Sequence, residues 1–76
     1  MYINIDYKNK GYNIQFQTRG VNIEEASKIW NDIDPKNIVM NTKEKDAGLY
    51  VRKDNLAFEL IRKGKNIIIR CGKEGE

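Results

Sequence analysis

The stretch Asp54-Asn55-Leu56-Ala57-Phe58-Glu59-Leu60-Ile61-Arg62-Lys63-Gly64, followed at once by Lys65-Asn66-Ile67-Ile68-Ile69-Arg70-Cys71, decides the fold. Leu56, Phe58 and Leu60 alternate as in a strand, yet the segment also fits a helix. On a helical wheel Asn55, Glu59, Arg62 and Lys63 gather on one polar stripe, whereas a strand would set Ile61 on a face with Glu59 and Lys63. Asp54 suits an N-cap, Glu59 is spaced to pair with Arg62 and Lys63, and Gly64 stands where an αL cap closes a helix. The wheel therefore predicts a helix over residues 54–64, the alternative being a strand paired with the last one. Asn66 to Cys71 is a β-branched run with apolar side chains pointing both ways, as in a strand covered on both faces.

Upstream, Ile3, Ile5 and Tyr7 alternate with Asn4 and Asp6, and Tyr12, Ile14 and Phe16 alternate with Asn13, Gln15 and Gln17. That period of two, with Gly11 in the connection, predicts an N-terminal hairpin with one apolar and one amide-rich face. Asn22 is placed as the N-cap of a helix whose Ile23, Ala26, Ile29, Trp30 and Ile33 span an arc of about 120°, and Asp34-Pro35 ends it. Ile38 to Met40 and Leu49 to Arg52 read as two short strands.

The order is ββαββαβ: an α+β fold with a small sheet of about five strands and two helices. If residues 54–64 are extended, the order becomes ββα followed by a β-meander. A chain of 76 residues fits one domain, assigned to residues 1–71, with 72–76 as a polar tail. At this size the core is thin, and help from a second chain is expected. If both helices pack on one side of the sheet, Ile68 or its neighbours need cover from another chain.

The net charge is +3, and the excess lies in the second half, where Arg52, Lys53, Arg62, Lys63, Lys65, Arg70 and Lys73 outnumber the nearby acids. Cys71 is the only cysteine, which rules out an internal disulfide and suits a reducing compartment. The first residues lack the basic-then-apolar pattern of a signal peptide, and Ile67 to Ile69 is far too short an apolar run to span a membrane. These features predict a cytoplasmic protein with no membrane partner.

Histidine is absent, which removes the most frequent acid-base group and metal ligand. Ser27 falls mid-helix with no base nearby, and Cys71 at a strand end reads as a small apolar residue. Asp32 and Asp34 with Glu24 and Glu25 read as solvated helix residues rather than a cation site, and the scattered glycines form no phosphate loop. No enzyme, cofactor, metal or small-molecule substrate is expected.

Two candidate surfaces remain. Asn4, Asp6, Asn13, Gln15, Gln17 and Arg19 form the polar face of the hairpin and can contact a partner by hydrogen bonds. Arg52, Lys53, Arg62, Lys63, Lys65 and Arg70 are candidate phosphate contacts gathered near the end of the expected second helix. The leading expectation is a non-catalytic regulatory or accessory factor acting through a protein partner or as a homodimer. The alternative is a nucleic-acid-binding module using the basic cluster. The isoleucine-, lysine- and asparagine-rich style resembles small proteins of AT-rich bacteria, their phages and mobile elements.

Overall fold

Residues 54–64 are not a helix: Leu56–Lys63 is the strand second from one edge of a single sheet. The computed structural model describes residues 2–73, leaving out the side chains of Tyr2, Tyr7 and Asn9. The elements run β1 (Tyr2–Asn9), β2 (Tyr12–Arg19), α1 (Ile23–Asn31), α2 (Lys36–Met40), β3 (Asp46–Lys53), β4 (Leu56–Lys63) and β5 (Asn66–Lys73). The five strands lie in the order β1-β2-β5-β4-β3. Only β2 and β5 pair in parallel; the other neighbours are antiparallel.

The α+β class with five strands and two helices stands as expected. The element order is that of the alternative, ββα followed by a β-meander, with α2 added inside the crossover. Ile38 to Met40 therefore belongs to a helix instead of a strand. Pro35, with φ −61, opens that short helix because its fixed φ already suits a first turn. Gly72 and Lys73, assigned to a tail, extend β5, while residues 74–76 lie outside the described residues.

Turn chemistry explains why β4 is a strand. Asp54 and Asn55 have φ of 53° and 65°, both positive, as a two-residue type I′ hairpin turn requires of its central pair. Asp54 thus turns a hairpin and caps nothing. Gly64, at φ 61°, is the first residue of the second two-residue connection, between Lys63 and Asn66. The objection that a strand strands Ile61 among polar neighbours is answered by pairing, since Ile61 sits opposite Ile68 of β5. An apolar cross-strand pair on a wet face is self-sheltering.

The core lies between the sheet and the two helices. Ile14, Phe16, Phe58, Leu60, Ile67 and Ile69 point to this side, and Trp30 packs on Phe58 with ring centroids 5.6 Å apart. Asn22 caps α1 as expected, its side chain accepting from the Glu24 and Glu25 N–H groups at 2.9 and 3.1 Å. Lys36 Nζ and Lys53 Nζ donate to the Trp30 and Asp32 carbonyls at the other end. Both helices serve one face of the sheet, so the strand Ile67–Ile69 has a helix layer on one side only; Ile68 faces the other way and is half-buried beside Gln15 and Ile61.

Candidate functional site

The outer edge of β1 is where sequence and packing leave the most unmet demand. The register places Ile3 opposite Thr18 and Ile5 opposite Phe16, so both isoleucines lie on the helix side of the sheet. Phe16 is 4% exposed, yet Ile3 and Ile5 are 49% and 46% exposed. The cause is geometric. An eight-residue edge strand adds about 4.8 Å of sheet width beyond β2, and the helices, of nine and five residues, pack chiefly on the other strands. α1 contacts β2, and α2 contacts β3 and β4.

The backbone of that edge has a fixed direction. Lys10-Gly11 is a two-residue turn with φ 54° and 83°, so the flanking Asn9 and Tyr12 form a hydrogen-bonded pair. The pairing then alternates, and the Asn13 N–H confirms its phase by donating away from β1 to the Lys65 carbonyl at 2.7 Å. Consequently Ile3, Ile5, Tyr7 and Asn9 spend their backbone groups on β2, while Asn4, Asp6 and Lys8 aim theirs outward. Proline is absent from β1 and only Asp6 and Lys8 are charged, so the usual devices that blunt an edge are sparse.

The six residues expected on the polar hairpin face do share one face, opposite the helices. Asn4 Nδ2 donates to Asp6 Oδ1 at 2.8 Å, Gln17 to Gln15 at 3.4 Å, and Asn13 to Asn66 at 3.3 Å. Arg19 closes the same row, on register with Gly72.

The six cations are dispersed instead of clustered. Arg62, 6% exposed, points into the core side, where Nη1 donates to the Val39, Met40 and Thr42 carbonyls at 3.1, 3.4 and 2.8 Å. Its Nε donates to the Gly64 carbonyl and Nη2 to the Tyr12 hydroxyl, each at 3.1 Å. This guanidinium ties the end of α2 to the sheet, and its burial keeps it away from a phosphate at the surface. Lys53 lies on the helix side against the Asp32 carbonyl, and Lys65 sits in the β4–β5 turn. Lys63 shares the opposite face with Arg52 and Arg70 by register. Arg52 stacks on Tyr50 at 5.8 Å, and Arg70 binds Gln17 at 3.2 Å and approaches Glu59 at 3.9 Å.

Cys71 is buried, and loss of hydration pushes its thiol up to about 11. A groove of about 270 Å³ lies over Ile14, Trp30 and Met40, rimmed by Lys10, Asn31 and Asn37. Lys36, on the same rim, is held by the Trp30 carbonyl at 3.1 Å, and burial lowers its pKa against the opposing pull of Asp32 and Asp34.

Alternation puts Ile3 and Ile5 on the apolar face of the hairpin, and the structure leaves that face half-exposed at β1. The signal that places them at the surface is arithmetic: two short helices cannot roof five strands, and a first strand tied only to its hairpin partner is the one left bare.

The fold and this edge define a small α+β domain with one unroofed sheet edge. Compared with protein-family models, curated proteins and solved structures, the chain matches none. Among the described residues, no helix is long and apolar enough to cross a membrane.

Proposed function

We propose that the chain is a non-catalytic binding domain, cytoplasmic in setting, that acts by protein contact along the outer edge of β1. The observation that carries this reading is the half-exposure of Ile3 and Ile5 beside a row of outward backbone groups at Asn4, Asp6 and Lys8. Strand addition to such an edge joins main-chain hydrogen bonds to apolar burial. The small, isoleucine- and lysine-rich chain suits a regulatory or accessory factor of a bacterium, phage or mobile element. A non-catalytic role is supported by the burial of Cys71, the chain's strongest latent nucleophile, and by the lack of histidine in the sequence.

The test is affinity capture with the tagged full chain and two variants. An Ile3→Lys/Ile5→Lys double variant loses its bound protein while Tyr50→Lys, on the opposite edge, keeps it. Equal capture by both contradicts the reading.

A second reading, nucleic-acid contact, draws on the face that carries Arg19, Arg52, Lys63 and Arg70 beside the amides of Asn13, Gln15, Gln17 and Asn66. It requires retention on heparin or DNA that weakens with salt and falls when Arg52, Lys63 and Arg70 are neutralised together. Asp6, Asp46 and Glu59 on the same face temper that attraction, so the β1 edge stands first.

A further inference from the structure

We infer that the occupant of the β1 edge is a second copy of the same chain, paired antiparallel through β1 about a two-fold axis at Ile5. This rests on the reading of β1 as the contact edge and names its partner.

Three constraints select the arrangement. First, a two-fold axis normal to the sheet keeps like faces together, so a residue can oppose only one of matching parity. Second, the outward backbone groups belong to the even-numbered residues, and these must form the hydrogen-bonded pairs. Third, charge chooses among the registers that remain. An axis at Asp6 would put two carboxylates directly opposite each other, which is destabilising. Axes at Asn4 and Tyr7 pair shorter stretches, the first leaving Lys8 and the second leaving Tyr2 and Asn4 without a strand counterpart.

With the axis at Ile5, Asn4 faces Asp6 of the second copy, and its Asp6 faces Asn4. Within one chain Asn4 Nδ2 already donates to Asp6 Oδ1 at 2.8 Å. The second hydrogen of that amide and the second oxygen of that carboxylate are the complementary groups available across the axis. Even-numbered residues from position 2 to 8 then exchange about eight backbone hydrogen bonds. Ile5 meets Ile5 of the second copy at a non-hydrogen-bonded position, where opposed side chains come closest. Ile3 and Ile5 of both copies floor a trough between the two helix layers.

The opposite edge leaves less apolar surface bare on its helix side, although Tyr50 on its other face is 58% exposed. Ala47, Leu49 and Val51 of β3 are half-buried on the side where α2 contacts that strand.

The purified full chain is tested by light scattering after gel filtration and by cross-linking through one introduced cysteine, Cys71 being kept as the buried native thiol. The wild type is expected at twice the monomer mass. Ile5→Cys is expected to form a disulfide-linked dimer under mild oxidation, because two Cβ atoms opposed across a two-fold lie within disulfide reach. Asn4→Cys and Asp6→Cys are expected to stay unlinked, as is the wild type with its buried Cys71. Linking at Asn4→Cys or Asp6→Cys in place of Ile5→Cys overturns the pairing. A monomeric wild type with no linking variant overturns the second-copy assignment, while the wider reading of β1 is then judged by its own capture test. A dimer broken by Tyr50→Lys and untouched by Ile5→Lys overturns both.

Discussion

Arg62 Nη1 donates to the Thr42 carbonyl at 2.8 Å, joining β4 to the segment that follows α2. A buried cation here has neutral oxygens for company, and its role is to satisfy carbonyls that the end of α2 leaves open. Arg62→Met is expected to cost about 2–3 kcal/mol, the price of leaving buried acceptors without donors. Arg62→Lys recovers little, because an ammonium does not reproduce the planar fork. Urea unfolding checks both, as a lower midpoint at an unchanged slope.

The Asp54-Asn55 turn offers a direct test of why residues 54–64 are extended. Asn55 sits at φ 65°, where asparagine and glycine are at ease and branched residues are strained. Asn55→Gly is expected to preserve or raise the thermal midpoint. Asn55→Val is expected to lower stability by about 1–2 kcal/mol, and equal midpoints for the two would speak against the turn.

Thr18 is fully buried on β2, and its hydroxyl is the one buried side-chain oxygen or nitrogen among the described residues without a hydrogen-bond partner. Thr18→Val keeps the shape and removes the unpaired group. It is expected to be neutral or to stabilise by up to about 1 kcal/mol. A clear loss of stability in denaturant titration would show that the hydroxyl is used.

Burial of Cys71 predicts a pH dependence. Its thiol is pushed up to about 11 in the folded chain from an ordinary 9.0, so the unfolded state releases its proton first as pH rises. This contribution to stability is intact below about pH 9 and is lost as pH climbs through about 11. Wild type and Cys71→Ala are expected to converge over that range in matched unfolding curves. A thiol reagent at pH 8 is expected to label Cys71 only as fast as the chain opens.

Much of the fold was legible because local chemistry agreed with it. The period of two in residues 3–17 and the cap at Asn22 lead directly to β1, β2 and α1. β4 was hidden because Asp54 and Gly64 suit a helix cap and a hairpin turn equally well, and only pairing with β3 and β5 decides between them. Arg62 looked like a surface cation until β4 became a strand, which turns alternate residues inward and carries it there beside Phe58 and Leu60. The hairpin's polar face was readable from alternation alone. The exposure of Ile3 and Ile5 was not, since it depends on how far the helices reach.

The measurement that most directly tests the β1 edge is amide hydrogen exchange at Asn4, Asp6 and Lys8 as protein concentration rises. Pairing of two β1 strands predicts that these outward N–H groups pass from fast to protected exchange together with the appearance of the dimer, while Ile3 and Ile5, already bonded to β2, change far less. Fast exchange at Asn4, Asp6 and Lys8 in a solution that is fully dimeric by light scattering would contradict the account.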